Sequence, residues 1–188
     1  MKKLLALAAL AILAACNSNP PAPKTDAPPS TPDSASMPKA IQSPYNIIYS
    51  SKFVMDDPKN AESLLAIWKA YDNGDLSVTK DLFGDTIEAN MGDGSIIRIS
   101  RDSTLAMVQA YRNSLKNSVS QVDAIMAIKS TDRNEHWALI WGTETDTYKS
   151  GKVDSTYLQE TWRFNKDGKA DLMYQYRRPA TPPAKKSK

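Results

Sequence analysis

What this chain lacks bounds its chemistry. Its 188 residues include one cysteine and one histidine. One thiol can form no internal disulfide, and one imidazole with no second soft ligand makes no zinc site. The histidine, His136, stands beside Glu135 at an expected turn, without the spacing of a Ser/His/Asp triad, and is expected on the surface. No glycine-rich phosphate loop or dinucleotide fingerprint occurs, so no cofactor and no metal are expected. No apolar run reaches the ~20 residues that a spanning helix needs. Basic charge is not in excess either: residues 59–178 hold 16 Lys and Arg against 17 Asp and Glu, which argues against a nucleic-acid surface. Proline is missing from that same stretch, and glycine is missing everywhere else. All 12 prolines lie outside 59–178 and all seven glycines inside it.

The features present begin at the N-terminus. Lys2 and Lys3 precede an apolar run, Leu4 to Leu13, and small residues then lead into the lone cysteine as Leu13-Ala14-Ala15-Cys16. A basic start, a short apolar centre and a small-residue end are the marks of an export signal. The whole pattern resembles a bacterial lipoprotein signal peptide over residues 1–15. The resemblance implies a diacylglyceryl thioether on Cys16, cleavage before it and acylation of the new amine. Two or more acyl chains anchor a protein stably where one does not, at about 0.8 kcal/mol per buried CH₂. Membrane attachment through lipid on Cys16 is therefore expected. Asn17 rather than Asp follows the cysteine, which by the enteric sorting rule implies the outer membrane, facing the periplasm.

Residues 16–44 read as a lipid-anchored linker. Eight prolines fall within 17–44, with Ser, Thr, Ala and Asp and few large apolar groups. Such a segment buries too little surface to fold. As polyproline II, about 28 residues at ~3.1 Å each would reach ~90 Å, enough for a spacer. A leader with no length requirement is the other reading. Residues 45–58 are too apolar for linker, with Tyr45, Ile47, Ile48, Tyr49, Phe53 and Val54, and read as an extended arm on the domain. Residues 59–178 have the length of one domain. Residues 179–188 form a basic, Pro-containing tail, read as solvated and disordered.

Within the domain, Asp57-Pro58 reads as a helix start, and Ala61, Leu64, Leu65, Trp68 and Tyr71 follow helical spacing up to Asn73-Gly74. A short helix is expected over Leu76–Phe83, and strands over Asp85–Asn90 and Ser95–Ser100 around Gly92-Asp93-Gly94. Asp102 is expected to cap a third helix carrying Leu105, Val108, Tyr111 and Leu115. Four long strands follow, over Val119–Ser130, His136–Lys149, Val153–Asn165 and Lys169–Arg178, with hairpin signals at Ser150-Gly151-Lys152 and Lys166-Asp167-Gly168. This order implies an α+β fold: a cone-like curved antiparallel sheet with about three helices on its concave side.

Three strings within that order carry a family resemblance. They are Tyr71-Asp72-Asn73-Gly74-Asp75-Leu76, Leu82-Phe83-Gly84-Asp85-Thr86 and Trp162-Arg163-Phe164-Asn165-Lys166-Asp167-Gly168-Lys169. Over residues 59–178 the chain resembles the nuclear transport factor 2-like superfamily, particularly its SnoaL-like members. The resemblance implies a cone whose concave face and helices enclose a pocket. In the ketosteroid isomerase type, chemistry needs a carboxylate base, a tyrosine and a protonated carboxylic acid. Carried onto this chain, the acid position falls on Glu160, the tyrosine position on Ile67 and the base position on Asn90. Isoleucine donates no hydrogen bond and asparagine is no base, so steroid-type isomerisation is rejected.

Alternation places Leu158, Glu160, Trp162 and Phe164 on one strand face. A carboxyl among such neighbours needs either a raised pKa or a partner. Glu160 is thus the best catalytic candidate, or else a satisfied residue bonded to Arg98, Arg112 or Gln175. Gln175 is expected to face the pocket with Glu160 and Trp162. Glu144 joins them if Ala138, Ile140 and Gly142 face inward; if Trp137, Leu139 and Trp141 do, Glu144 faces solvent. Trp68 and Trp162 read as core or pocket wall rather than sugar platforms. Three functions stay open: a pocket for a small, partly apolar ligand; an enzyme of cyclase, isomerase or dehydratase type using Glu160; and an assembly module with a filled cavity, forming a homodimer through the outer sheet face.

Overall fold

A computed structural model describes residues 41–180. The signal segment, Cys16, the linker up to residue 40 and the tail from residue 181 lie outside the described residues. Among the described residues, no helix is long and apolar enough to cross a membrane.

The helix opened by Asp57-Pro58 is α1, Lys59–Asn73. Asp57 Oδ1 accepts the Lys59 N–H at 2.9 Å, satisfying one of the free donors of the first turn. Its buried stripe is Ala61, Leu64, Ile67 and Trp68. Gly74 ends it at φ 81°, a left-handed conformation that glycine adopts without penalty. A 3₁₀ turn, Ser77–Leu82, leads into strand β2, Phe83–Met91, and across a tight turn into β3, Ile96–Ser100. Helix α2, Arg101–Ser114, is capped by Ser100, whose Oγ accepts the Ser103 N–H at 3.2 Å. The expected cap, Asp102, instead lies in the first turn, where its charge suits the helix dipole and reaches Lys80 at 3.0 Å.

Four long strands complete the domain: β4 (Leu115–Ser130), β5 (Glu135–Tyr148), β6 (Val153–Phe164) and β7 (Ala170–Pro179). A strand beyond those expected, β1, Phe53–Met55, pairs with residues 128–130 of β4. It belongs to the segment read as an arm. The order across the seven-stranded sheet is β1-β4-β5-β6-β7-β2-β3, antiparallel except between β2 and β7. The fold is α+β with a curved, unclosed sheet and about three helices. Register shifts in β4, β2 and at the end of β6 bend it, as bulges do.

The core lies between the concave face and α1. Ala138 and Ile140 of β5, Leu158, Trp162 and Phe164 of β6, and Ala170 and Met173 of β7 meet Leu64, Ile67 and Trp68. Gly142 is required by this closeness. A Cβ there would come within 2.3 Å of the Gln121 carbonyl oxygen and 3.0 Å of the Trp68 ring.

Helix α2 is pinned to the end of α1 by side chains that satisfy its last carbonyls. Arg112 donates to the Tyr71 and Asp72 carbonyl oxygens at 2.7 and 2.8 Å, and Gln109 to that of Gly74 at 2.9 Å. On the convex face, Trp137 is buried against Tyr49 of the incoming segment and Tyr174 of β7. The Tyr49 hydroxyl donates to Glu135, and Arg133 stacks 4.0 Å over its ring. His136 is no free surface residue: it is half-buried, its Nδ1 lying 2.6 Å from Asp56 Oδ2.

Candidate functional site

Between the concave face, α1 and α2 lies a cavity of about 310 Å³. Most of its wall is apolar: Ile67, Leu76, Phe83, Ile87, Leu105, Val108 and Met173 among others. Inward placement follows strand alternation. On β5, Ala138, Ile140, Gly142 and Glu144 point in, while Trp137, Leu139 and Trp141 lie on the other face, so the open question of Glu144 resolves to the cavity. On β6 the inward set is Leu158, Glu160 and Trp162, and on β7 Met173, Gln175 and Arg177.

Of the residues singled out beforehand, Glu160, Trp162, Gln175, Glu144 and Ile67 line this cavity. Asn90 does not. Ile87, Ala89 and Met91 of β2 face in, and Asn90 faces out, its amide donating to Glu88 at 3.1 Å. The correction has a physical cause. Phe83, Ile87, Ala89 and Met91 share the inward face by unbroken alternation along β2, so Asn90, between two of them, falls on the other face. Tyr71 and Tyr111, placed earlier only as helix-face residues, also line the cavity. Their signal was the helical spacing that brings one face of each helix to the sheet.

The two glutamates live in different surroundings. Glu160 is 5 % exposed and fully engaged. Its Oε2 accepts the indole N–H of Trp68 at 2.8 Å and that of Trp162 at 2.9 Å, and its Oε1 accepts the Gln175 amide at 2.8 Å. Indole nitrogens only donate, so the carboxyl acts here purely as an acceptor. Of the partners considered beforehand, Gln175 is the one in contact; Arg98 reaches Glu88, and Arg112 holds the end of α1.

Glu144 makes no hydrogen bond among the described residues, yet it is half-buried. Burial pushes its pKa up to about 7, helped by the nearby acidic groups of Asp146, Glu160 and Asp72 and opposed by Arg177. These neighbours are held elsewhere. Asp146 accepts from Ser118 at 2.6 Å and Tyr111 at 3.4 Å, and Asp72 accepts from the Ser120 N–H and hydroxyl at 3.1 and 2.8 Å. Burial also raises the Tyr71 and Tyr111 phenols well above their ordinary value, with Glu144 and Asp146 adding to it. Both phenols therefore remain donors at neutral pH.

A carboxyl that titrates near neutrality inside an apolar pocket can give or take a proton, which is what general acid–base work requires. Glu144 meets that condition, whereas Glu160 is tied to three scaffold donors. Among the described residues no cluster of three or more His, Cys, Asp or Glu is close enough to hold a metal ion.

A scan against protein-family models finds no match, and a search of curated proteins finds none either. Solved structures do match. An LEH-like epoxide hydrolase from M. tuberculosis aligns with TM-score 0.54 and 15% identity, over 64% of this chain and 83% of that one. AusH from Aspergillus nidulans aligns with TM-score 0.53 and 11% identity, over 68% and 89%. An NTF2-like protein of unknown function from Exiguobacterium sp. 255-15 aligns with TM-score 0.50 and 14% identity, over 63% and 99%. At such identities the likeness concerns backbone architecture alone: the fold is consistent with an NTF2-like cone.

Proposed function

We propose that this domain binds one small, mostly apolar molecule in the cavity enclosed by its sheet and helices. The observation that carries the reading is the cavity itself. It measures about 310 Å³, at the lower end of the range of small-molecule sites, and its apolar wall is interrupted by a few convergent polar groups. An assembly module with a filled core would have no reason to keep it open. Ile67, central to α1 and buried in the wall, provides the test. Ile67→Trp places an indole in the cavity. Binding of an environment-sensitive apolar dye should fall at least tenfold while the circular dichroism spectrum is retained. Unchanged dye binding by a folded Ile67→Trp variant would refute the reading.

Turnover in the same cavity is a second reading, favoured by Glu144. A protonatable carboxyl without hydrogen-bond partners is costly to bury and useful chiefly where a proton moves. Epoxide hydrolysis belongs to one structural neighbour, and nothing at 15% identity transfers it here.

The cellular address we infer from the N-terminal pattern alone: an envelope protein held by lipid on Cys16. The support is the sequence Leu13-Ala14-Ala15-Cys16 after an apolar run too short to span a bilayer. Cys16→Ser should move the protein from the membrane fraction to the soluble fraction, leaving the thermal unfolding of the domain unchanged. Continued membrane fractionation would refute the anchor.

A further inference from the structure

Two carboxyl groups, Glu144 and Glu160, line the cavity, with Asp72 and Asp146 close enough to act on Glu144, and none of the four is in an ion pair among the described residues. Asp72 comes from α1, Glu144 and Asp146 from β5, and Glu160 from β6. Asp72, Asp146 and Glu160 take hydrogen bonds only from neutral donors: serine, tyrosine, tryptophan, glutamine and backbone N–H groups. Arg112, the buried guanidinium of α2, spends its donors on backbone carbonyls. Arg177 of β7 is exposed at the rim and forms an ion pair with none of the four. Arg177 is the one cation lining the cavity and acts on Glu144 only through space, so Glu144 has no bonded counter-charge among the described residues.

The geometry rules on what kind of cation could supply it. The carboxyl groups are too dispersed to act together on one metal ion. Glu144 and Glu160 face a cavity large enough for an organic molecule, whose aromatic lining includes Trp68, Tyr71, Phe83, Tyr111 and Trp162. Ring faces attract organic cations, and more strongly where water is excluded. Glu144, which alone of the four carboxyl groups lacks a hydrogen bond, is the natural partner for an ammonium N–H.

We propose that the ligand of this cavity is an apolar amine, its ammonium group bonded to Glu144 and its body lying against the aromatic and aliphatic wall. This deepens the binding reading above and rests on it. The titration of Glu144 follows as a consequence. The groups facing it are Asp72 and Tyr71 from α1, Tyr111 from α2, Ser120 from β4, Asp146 from β5, Glu160 from β6 and Arg177 from β7. An entering ammonium offsets the acidic majority of that list and favours the ionised form.

The test uses three probes of one shape: 4-phenylbutylamine, 4-phenylbutanol and 4-phenylbutyric acid, titrated into the mature protein by calorimetry at pH 6 and pH 8. At pH 8 the amine should bind at least tenfold more tightly than the alcohol, and the acid more weakly than either. With Glu144 titrating near 7, its ionised fraction rises from about 0.1 to about 0.9 between the two pH values, so amine affinity should rise about tenfold while alcohol affinity stays flat. Glu144→Gln should abolish both the amine preference and its pH dependence; the wild-type comparison decides the matter even if that variant folds poorly. Equal binding of amine and alcohol, or tighter binding of the acid, overturns the ammonium assignment and leaves the apolar cavity standing. Failure of all three probes to bind overturns both readings.

Discussion

Replacing Glu144 by Gln should stabilise the folded domain, and by an amount that depends on pH. In the unfolded chain the side chain titrates at about 4.5; in the folded one burial and the neighbouring acids move it to about 7. Between those values the native state holds a proton that the unfolded state has released. Stability therefore falls as pH rises through that window, because the slope of unfolding free energy with pH follows the protons bound in the unfolded state minus those in the native state. The interval is about 2.5 units, and one unit corresponds to about 1.4 kcal/mol, so ionised Glu144 costs about 3 kcal/mol at pH 8. That is a large share of the 5–15 kcal/mol by which domains are held folded. Glutamine has the same shape and no charge. Urea unfolding of wild type and Glu144→Gln should thus give similar free energies at pH 4, with the variant ahead by about 3 kcal/mol at pH 8. Taking the difference between the two proteins cancels the groups that Glu144 does not influence. A variant-minus-wild-type difference that is equal at pH 4 and pH 8 would refute the burial argument for Glu144.

Substitutions at two further positions probe the wall. Gly142→Ala should lose more than about 2 kcal/mol in urea unfolding, since its Cβ collides with a backbone oxygen at 2.3 Å and neither strand nor the Trp68 ring has room to yield; a loss below about 0.5 kcal/mol would show that β4 and β5 separate easily there. Glu160→Leu should cost about 2–5 kcal/mol by orphaning two indole N–H groups and the Gln175 amide, whereas Glu160→Gln should cost less than half as much, because a flipped Gln175 can accept from the new amide while both indoles keep their oxygen. Equal losses in the two Glu160 variants would mean that packing, rather than these hydrogen bonds, fixes the residue.

Legibility in the sequence tracked the range of the interactions involved. Helix α1 and the hairpins were readable because their signals are local: Asp57-Pro58 at one end, Gly74 at the other, and glycines at 151 and 168 with positive φ. Strand β1 was not, since three residues, Phe53–Met55, become a strand only by meeting residues 128–130 of β4. The orientation of β5 was also hidden. Bulky apolar side chains occupy both of its faces, Ile140 inside and Trp137 outside, so alternation had no polar face to mark. What decides it is Gly142, which lets Trp68 sit close against the sheet and so fixes the inward face of the strand. Asn90 shows the opposite failure: its strand was readable, but Asn90 alternates with Ala89 and Met91, which face the cavity, and so lies on the outer face. Glu160 could be placed in the cavity from its apolar neighbours, yet its three donors come from α1, β6 and β7, and only the assembled fold reveals that they immobilise it.

That immobilisation separates the roles of the two glutamates. A group that moves protons must exchange its hydrogen bonds as its charge changes. Glu160 cannot do so without leaving two indole N–H donors unsatisfied, because neither Trp68 nor Trp162 can turn its nitrogen into an acceptor. Its place between α1 and the sheet makes it a fastener that ties the helix to the concave face. Glu144, two strand positions from Asp146 and without a donor of its own, breaks no hydrogen bond on releasing its proton, so the cost of its ionisation is that of burial and acidic neighbours alone. Carboxyl groups whose surroundings divide them in this way are how one pocket assigns structure to one acid and reactivity to another. Glu144 is then the residue whose alteration should change what the cavity binds, and Glu160 the residue whose alteration should change whether the cavity exists.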